Sequence, residues 1–172
     1  DGLEVRRLRC TVTRMEFFDR LTEEGADSVC TTGGAVRGMA DEEFAGKVVS
    51  DCLREMLANP DSEKAGLFKE EDRDELIFHL FKLLCLGGAI SQPDDQVSPY
   101  LDTTKLLYKD AVSVYRCAKT REIKAGARAY VVDSTASGLF PNPGSPHNFC
   151  LVVVNPLLRQ ATIIYQPFLS FW

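Results

Sequence analysis

Histidine, tryptophan and closely spaced cysteine are all scarce in this chain. It carries two histidines, His79 and His147, and a single tryptophan. Its six cysteines stand at 10, 30, 52, 85, 117 and 150, so no CxxC pair or Cys/His knuckle exists and a structural zinc site is not expected. The longest apolar stretches, about 76–86 and 149–154, are short or interrupted by His79 and Lys82, too little to cross a bilayer. Cationic charge is in deficit. The net charge is −5, which disfavours general nucleic-acid binding unless the basic residues gather on one face. No signal peptide is recognisable and the chain starts at Asp1 rather than Met, so a fragment lacking an N-terminal region is expected.

What is present describes a folded protein. The 172 residues are 45% apolar and 26% charged, which suits one hydrophobic core and rules out a tail or low-complexity linker. The chain is too long to need staples, so its six thiols are expected to be reduced, as in a cytosolic protein. The charge is uneven: residues 1–92 sum to −7 and residues 93–172 to +2, so the two ends can face different partners.

Leu3, Val5, Leu8, Cys10 and Val12 alternate imperfectly with arginines and suggest an edge strand. Met15–Leu21 suits a short helix, and glycines 25, 33, 34 and 38 mark a loop. Asp41 reads as an N-cap for an amphipathic helix carrying Phe44, Val48, Cys52 and Met56 and ending at Asn59-Pro60. A second helix is expected from about Glu70 to Leu86, apolar on most of its circumference and stopped by Gly87-Gly88; its breadth places it at the centre of the core. Ser98 can cap a third helix with Pro99 at its first position and Tyr100, Thr104, Leu107 and Ala111 on one face.

Beyond Ala111 the runs 112–115, 129–132, 149–154 and 161–165 are β-branched or aromatic, with Asn155-Pro156 joining the last two as a hairpin and a long exposed loop at 134–148. Helices first and strands later give an α+β fold. A helical N-terminal half packs on a mainly antiparallel sheet from the C-terminal half, with an N-terminal strand added, in one domain over 1–172.

No reaction is legible. His79 stands four residues after Glu75, where a helical ion pair is the ordinary outcome, and His147 follows Pro146 in a loop without a nucleophile elbow at Ser145. The glycines at 33, 34 and 38 lack the Gly-Lys-Ser/Thr of a phosphate loop. Asp72, Asp74 and Glu75, and Asp94 with Asp95, read as caps and solvated turns rather than acid–base pairs. Arg116, Lys119, Arg121, Lys124 and Arg128 gather over a predicted hairpin, either as a charged edge that deters aggregation or as a surface for an acidic partner.

The block Leu80-Phe81-Lys82-Leu83-Leu84-Cys85-Leu86-Gly87-Gly88-Ala89, followed by residues 97–114 with Pro99-Tyr100-Leu101, Thr103-Thr104-Lys105-Leu106-Leu107-Tyr108-Lys109-Asp110 and Val112-Ser113-Val114, has no generic helical explanation. It resembles the cilia- and flagella-associated protein 300 family, strongly over about 68–117 and more weakly towards both ends. The resemblance implies a non-enzymatic factor, without cofactor or metal, for cytoplasmic assembly and ciliary delivery of outer and inner dynein arms. It implies as partners a PIH-domain dynein assembly factor, dynein-arm subunits or the intraflagellar-transport machinery, and residence in the cytoplasm and the axoneme of motile cilia or flagella; charge and the short apolar stretches, rather than the resemblance, argue against nucleic acid and membrane as partners.

Two tyrosines and two lysines on one helix have the chemistry common at interfaces, so the expected partner surface is Tyr100, Thr103, Thr104, Lys105, Tyr108 and Lys109 with Arg116, Lys119 and Arg121 of the hairpin. The alternatives are a small-ligand or hydrolytic protein with a cleft near His79 or His147, and a permanent structural component of the axoneme.

Overall fold

A computed structural model describes residues 3–25, 28–44, 47–87, 93–134, 138–145 and 147–169. The fold is α+β, as expected. Four antiparallel strands lie in the order β1-β6-β7-β8, where β1 is Leu3–Leu8, β6 Arg128–Ser134, β7 Phe149–Asn155 and β8 Gln160–Gln166. The N-terminal strand is an edge of this sheet, with Leu8 opposite Ala129, and β7 meets β8 with Asn155 opposite Gln160 across the expected hairpin. Two smaller hairpins stand apart from the sheet, β2 (Gly38–Phe44) with β3 (Lys47–Asp51) and β4 (Val114–Arg116) with β5 (Ile123–Ala125).

The helices are α1 (Cys52–Ala58), α2 (Glu70–Arg73), α3 (Leu76–Leu86) and α4 (Ser98–Ala111), with 3-10 turns at Met15–Leu21 and Glu63–Leu67. The breadth of the apolar surface on α3 has the expected result: Leu76, Ile77, Phe78, Leu80, Phe81 and Cys85 are all buried. One face packs on α4 and the inner face of the sheet through Leu8, Ala129, Leu151 and Val153, all within one core. Another meets an aromatic cluster in which Phe18 lies 4.7 Å from Phe81 and Phe68 lies 5.0 Å from Phe78. Gly87 ends α3 at φ 61°, a conformation that favours glycine; Gly88 lies outside the described residues.

Several expectations are corrected. Residues 41–51 are not helical. Asp41 lies in β2, and the true N-cap is Asp51, whose carboxylate accepts from the Arg54 N–H at 2.8 Å. Val48 is 70% exposed and Val49 2%, the alternation of a strand, and the Cys52 N–H donates to the Arg37 carbonyl at 2.8 Å, which fixes the start of α1.

The helix expected over 70–86 breaks at Asp74-Glu75, because Glu75 is held by the N-terminal segment. The Thr11 N–H and Arg9 Nε approach its carboxylate at 2.9 and 3.5 Å, and the Leu76 N–H donates to the Arg9 carbonyl. The Glu75–His79 pair therefore does not form. Asp72 and Asp74 are bound to Arg20 and Arg6 at 2.7 and 2.6 Å. In α4 the cap is Val97, with Ser98 inside the helix and no side-chain cap bond.

The long loop after β6 is less exposed than expected. Phe140 is 2% exposed and stacks on Tyr165 at 5.5 Å, closing part of the sheet's outer face.

Candidate functional site

The site begins with α4. Thr104, Tyr108 and Ala111 recur on one face and are buried, which turns Lys105 and Lys109 outward. The Thr104 hydroxyl donates to the Tyr100 carbonyl at 2.7 Å, so this residue serves the helix itself. The Tyr108 hydroxyl donates to the Val12 carbonyl at 2.8 Å and lies 3.5 Å from the Cys10 sulfur; burial pushes its titration well above the ordinary range. Tyr108 therefore bolts α4 to the extended segment that leaves β1. It belongs to the packing and is not free to meet a partner with its hydroxyl.

At the far end of α4 the chain turns into the β4–β5 hairpin. The Gly126 N–H donates to the Ser113 carbonyl at 2.8 Å, and Asn155 Nδ2 donates to the Ser113 hydroxyl at 2.8 Å, anchoring the hairpin base beside β7. Tyr115 pairs with Lys124, and Arg116 with Ile123. Arg121 adopts φ 63° in the turn, a conformation that side chains rarely take. Val114, Tyr115 and Ile123 are exposed, so the hairpin presents apolar and cationic groups together.

Two open grooves flank the segment between β1 and the first 3-10 turn, and both are lined by Thr13 and Arg14. One, of about 730 Å³, lies between Met15–Asp19 and α4, with Lys105 and Lys109 on its wall and Ile77, Tyr108 and Val112 beneath. The other, of about 750 Å³, lies against the hairpin, with Arg116, Arg121 and Lys124 on its wall.

The structure thus brings Lys105, Tyr108 and Lys109 to one groove and Arg116 and Arg121 to the other, with Thr13 and Arg14 between them. Thr103 and Lys119 are exposed outside their linings, and Tyr100 is turned inward, its hydroxyl accepting from Arg54 Nη2 at 2.6 Å. Arg14, Thr13 and Glu16 also line the grooves and were not anticipated. Thr13 and Arg14 read as an ordinary linker and Glu16 as part of a short helix. Only the anchoring of residues 9–12 on Glu75 and Tyr108, both tertiary contacts, places them between α4 and the hairpin.

The two histidines meet elsewhere. His79, Lys82, His147 and Asn148 line one pocket of about 200 Å³ between α3 and the sheet. Burial, reinforced by Lys82 and Arg6, pushes His79 down to about 4, and its Nε2 is buried with no hydrogen-bond partner among the described residues. The remaining lining among the described residues is Leu83, Leu86, Gly87, Val131, Phe149 and Leu151, which is apolar apart from the glycine. The loop at Cys30–Val36 is closed on itself, the Thr31 N–H donating to the Ala35 carbonyl at 2.8 Å. Among the described residues no three His, Cys, Asp or Glu side chains gather as a metal site. Among the described residues no helix is long and apolar enough to cross a membrane.

Architecture and surface define the class, an α+β protein carrying two open grooves walled by cations. A family model described as "Cilia- and flagella-associated protein 300" matches residues 1–166. Two curated proteins of that name are similar: one from Chlamydomonas reinhardtii, 37% identical over 96% of this chain and 65% of its own length, and one from Paramecium tetraurelia, 36% identical over 96% of this chain and 63% of its own length. The chain belongs to the cilia- and flagella-associated protein 300 family. It spans just under two-thirds of the length of these relatives. No solved structure matches it.

Proposed function

We propose that this chain is a recognition factor in the building of motile cilia and flagella. It works in the cytoplasmic assembly and ciliary delivery of outer and inner dynein arms and binds its partners by protein–protein contact without catalysing a reaction. Its partners on this reading are a PIH-domain assembly factor, dynein-arm subunits or the intraflagellar-transport machinery. Membership of the family supports the ciliary setting. The observation that carries the recognition reading is the pair of adjacent grooves, because an open surface with an apolar floor and charged walls suits another macromolecule better than a small substrate.

Affinity purification from cells regenerating cilia, combined with fractionation, tests this reading. The protein is expected to recover dynein subunits or assembly factors from the cytoplasm and to be sparse on salt-washed axonemes. Retention on washed axonemes would favour the permanent structural role.

The second reading, a small-ligand or hydrolytic protein, has one observation in its favour: His79 and His147 line the same pocket. Turnover of a small molecule by the purified chain, lost in His147→Ala, would establish it.

A further inference from the structure

The walls of the two adjacent grooves carry one chemistry. Resting on the recognition reading above, we infer that they bind an acidic segment of a partner protein. Its carboxylates meet Arg14, Lys105, Lys109, Arg116 and Arg121, and an apolar side chain settles over Ile77, Tyr108 and Val112.

Charge is the first argument. The chain is net −5, yet these five cations line adjoining surfaces, and none of them forms a salt bridge among the described residues. Arg6, Arg9, Arg20 and Arg54, by contrast, each meet a carboxylate of the chain itself, and of the groove-lining cations only Lys124 does so among the described residues, through Glu122. Like charges held together on a surface repel one another, so an incoming carboxylate relieves that repulsion as well as forming its own contacts.

The floor is the second argument. Ile77, Tyr108 and Val112 are buried side chains at the bottom of the α4 groove, and the charges stand around them. This is the apolar centre and polar rim of a protein interface, where the centre supplies affinity and the rim supplies register and encounter rate.

The anions present select among negatively charged occupants. Glu16, Asp19 and Glu122 also line the grooves, and Glu122 lies 3.7 Å from Lys124. A continuous phosphate backbone would meet these carboxylates along its length, whereas a peptide can place its few acidic groups opposite the cations and miss the anions.

The experiment uses the purified full chain and a fluorescein-labelled peptide of about twelve residues alternating glutamate with leucine, read by anisotropy. The probes for comparison are the same peptide with lysine for glutamate, a single-stranded RNA of equal length, and vesicles containing phosphatidylserine. The acidic peptide is expected to bind, to weaken about tenfold between about 50 and about 300 mM sodium chloride, and to weaken about tenfold in Lys105→Glu/Arg116→Glu. Arg7→Glu, an exposed cation of β1, is expected to leave binding unchanged.

Equal binding of the acidic and basic peptides, binding indifferent to salt, or tighter binding of RNA or vesicles would overturn the inference. The first two comparisons need no variant, so they decide even if the double variant folds poorly. The peptide assay reads the groove alone. The ciliary role fails only on the cellular readout given above.

Discussion

Arg54 Nη2 donates to the Tyr100 hydroxyl at 2.6 Å, and the guanidinium lies 5.5 Å from the centre of the same ring. Arg54 also pairs with Asp51, the cap of α1, and its Nε donates to the Cys85 carbonyl in the last turn of α3 at 2.9 Å. One buried cation thereby fixes the start of α1, the end of α3 and the start of α4. The groove wall formed by α4 is positioned from this joint.

Arg54→Met is expected to destabilise the fold by about 3–5 kcal/mol, because it leaves the buried Asp51 carboxylate without its partner. Arg54→Lys should recover only part of the loss, since one ammonium cannot reproduce the fork that reaches Asp51, Cys85 and Tyr100. Urea unfolding measures both. A loss under about 1 kcal/mol in the methionine variant would remove the joint from the account.

Tyr108 and Lys109 are neighbours in sequence with opposite fates. Tyr108→Phe deletes the bond to the Val12 carbonyl and is expected to cost about 1 kcal/mol, and Tyr108→Ala about 3–5 kcal/mol. Lys109→Ala, at an exposed position, should stay within about 0.5 kcal/mol. Thermal unfolding of the three variants separates the residue that holds the groove from the residue that faces into it.

This contrast marks how far the sequence could be read. The periodicity of α3 and α4, the runs that become β6 to β8, and the Asn155-Pro156 turn are local signals, and local signals survive into the structure. Residues 41–51 misled because Phe44, Val48 and Cys52 at intervals of four satisfy a helix. The antiparallel pairing of Glu42 with Val49 and Glu43 with Val48, the Arg37–Cys52 bond and the burial of Val49 beside an exposed Val48 decide for a strand. The break before α3 was illegible for the same kind of reason: Glu75 is drawn out of the helix by Thr11 and Arg9, more than sixty residues away. Of the groove, the cations of α4 and the hairpin could be chosen from residue type. That Tyr108 points inward, and that Arg14 joins them, follows from contacts no window of sequence contains.

His79 makes stability depend on pH in a defined direction. Its imidazole is pushed from 6.5 down to about 4, first by burial and then by the nearby charges of Arg6 and Lys82, with Asp74 opposing. The folded state therefore holds a neutral ring where the unfolded chain takes up a proton, so this contribution is complete above about pH 6.5 and is lost as pH falls towards 4, by at most about 3 kcal/mol. His79→Leu should flatten that part of the profile. It should also raise the urea midpoint at neutral pH, because it deletes a buried nitrogen that has no partner among the described residues. An unchanged difference between wild type and variant from pH 7 to pH 4.5 would contradict the assignment.

The thiols should react in a fixed order. Cys117, in the β4–β5 turn, is pushed down to about 7 by hydrogen bonds from the Thr120 side chain and from the Thr120 and Lys119 backbone, with Lys124 adding to the effect. Burial pushes Cys30 up to about 11 and raises Cys10, Cys85 and Cys150. Brief treatment with iodoacetamide and peptide mapping should find Cys117 labelled first, with a rate that rises through pH 7. Faster labelling of Cys30 or Cys85 would mean that the core opens more readily than its packing implies.

The central claim is that the cationic grooves are where this protein meets its partners in cilium assembly. The most direct measurement counts outer and inner dynein arms by electron microscopy in cells lacking the endogenous protein and supplied with a full-length form carrying Lys105→Glu, Lys109→Glu and Arg116→Glu. The expected result is normal protein abundance with arms missing, while the unaltered protein restores them. Full restoration of the arms by the charge-reversed protein would contradict the account.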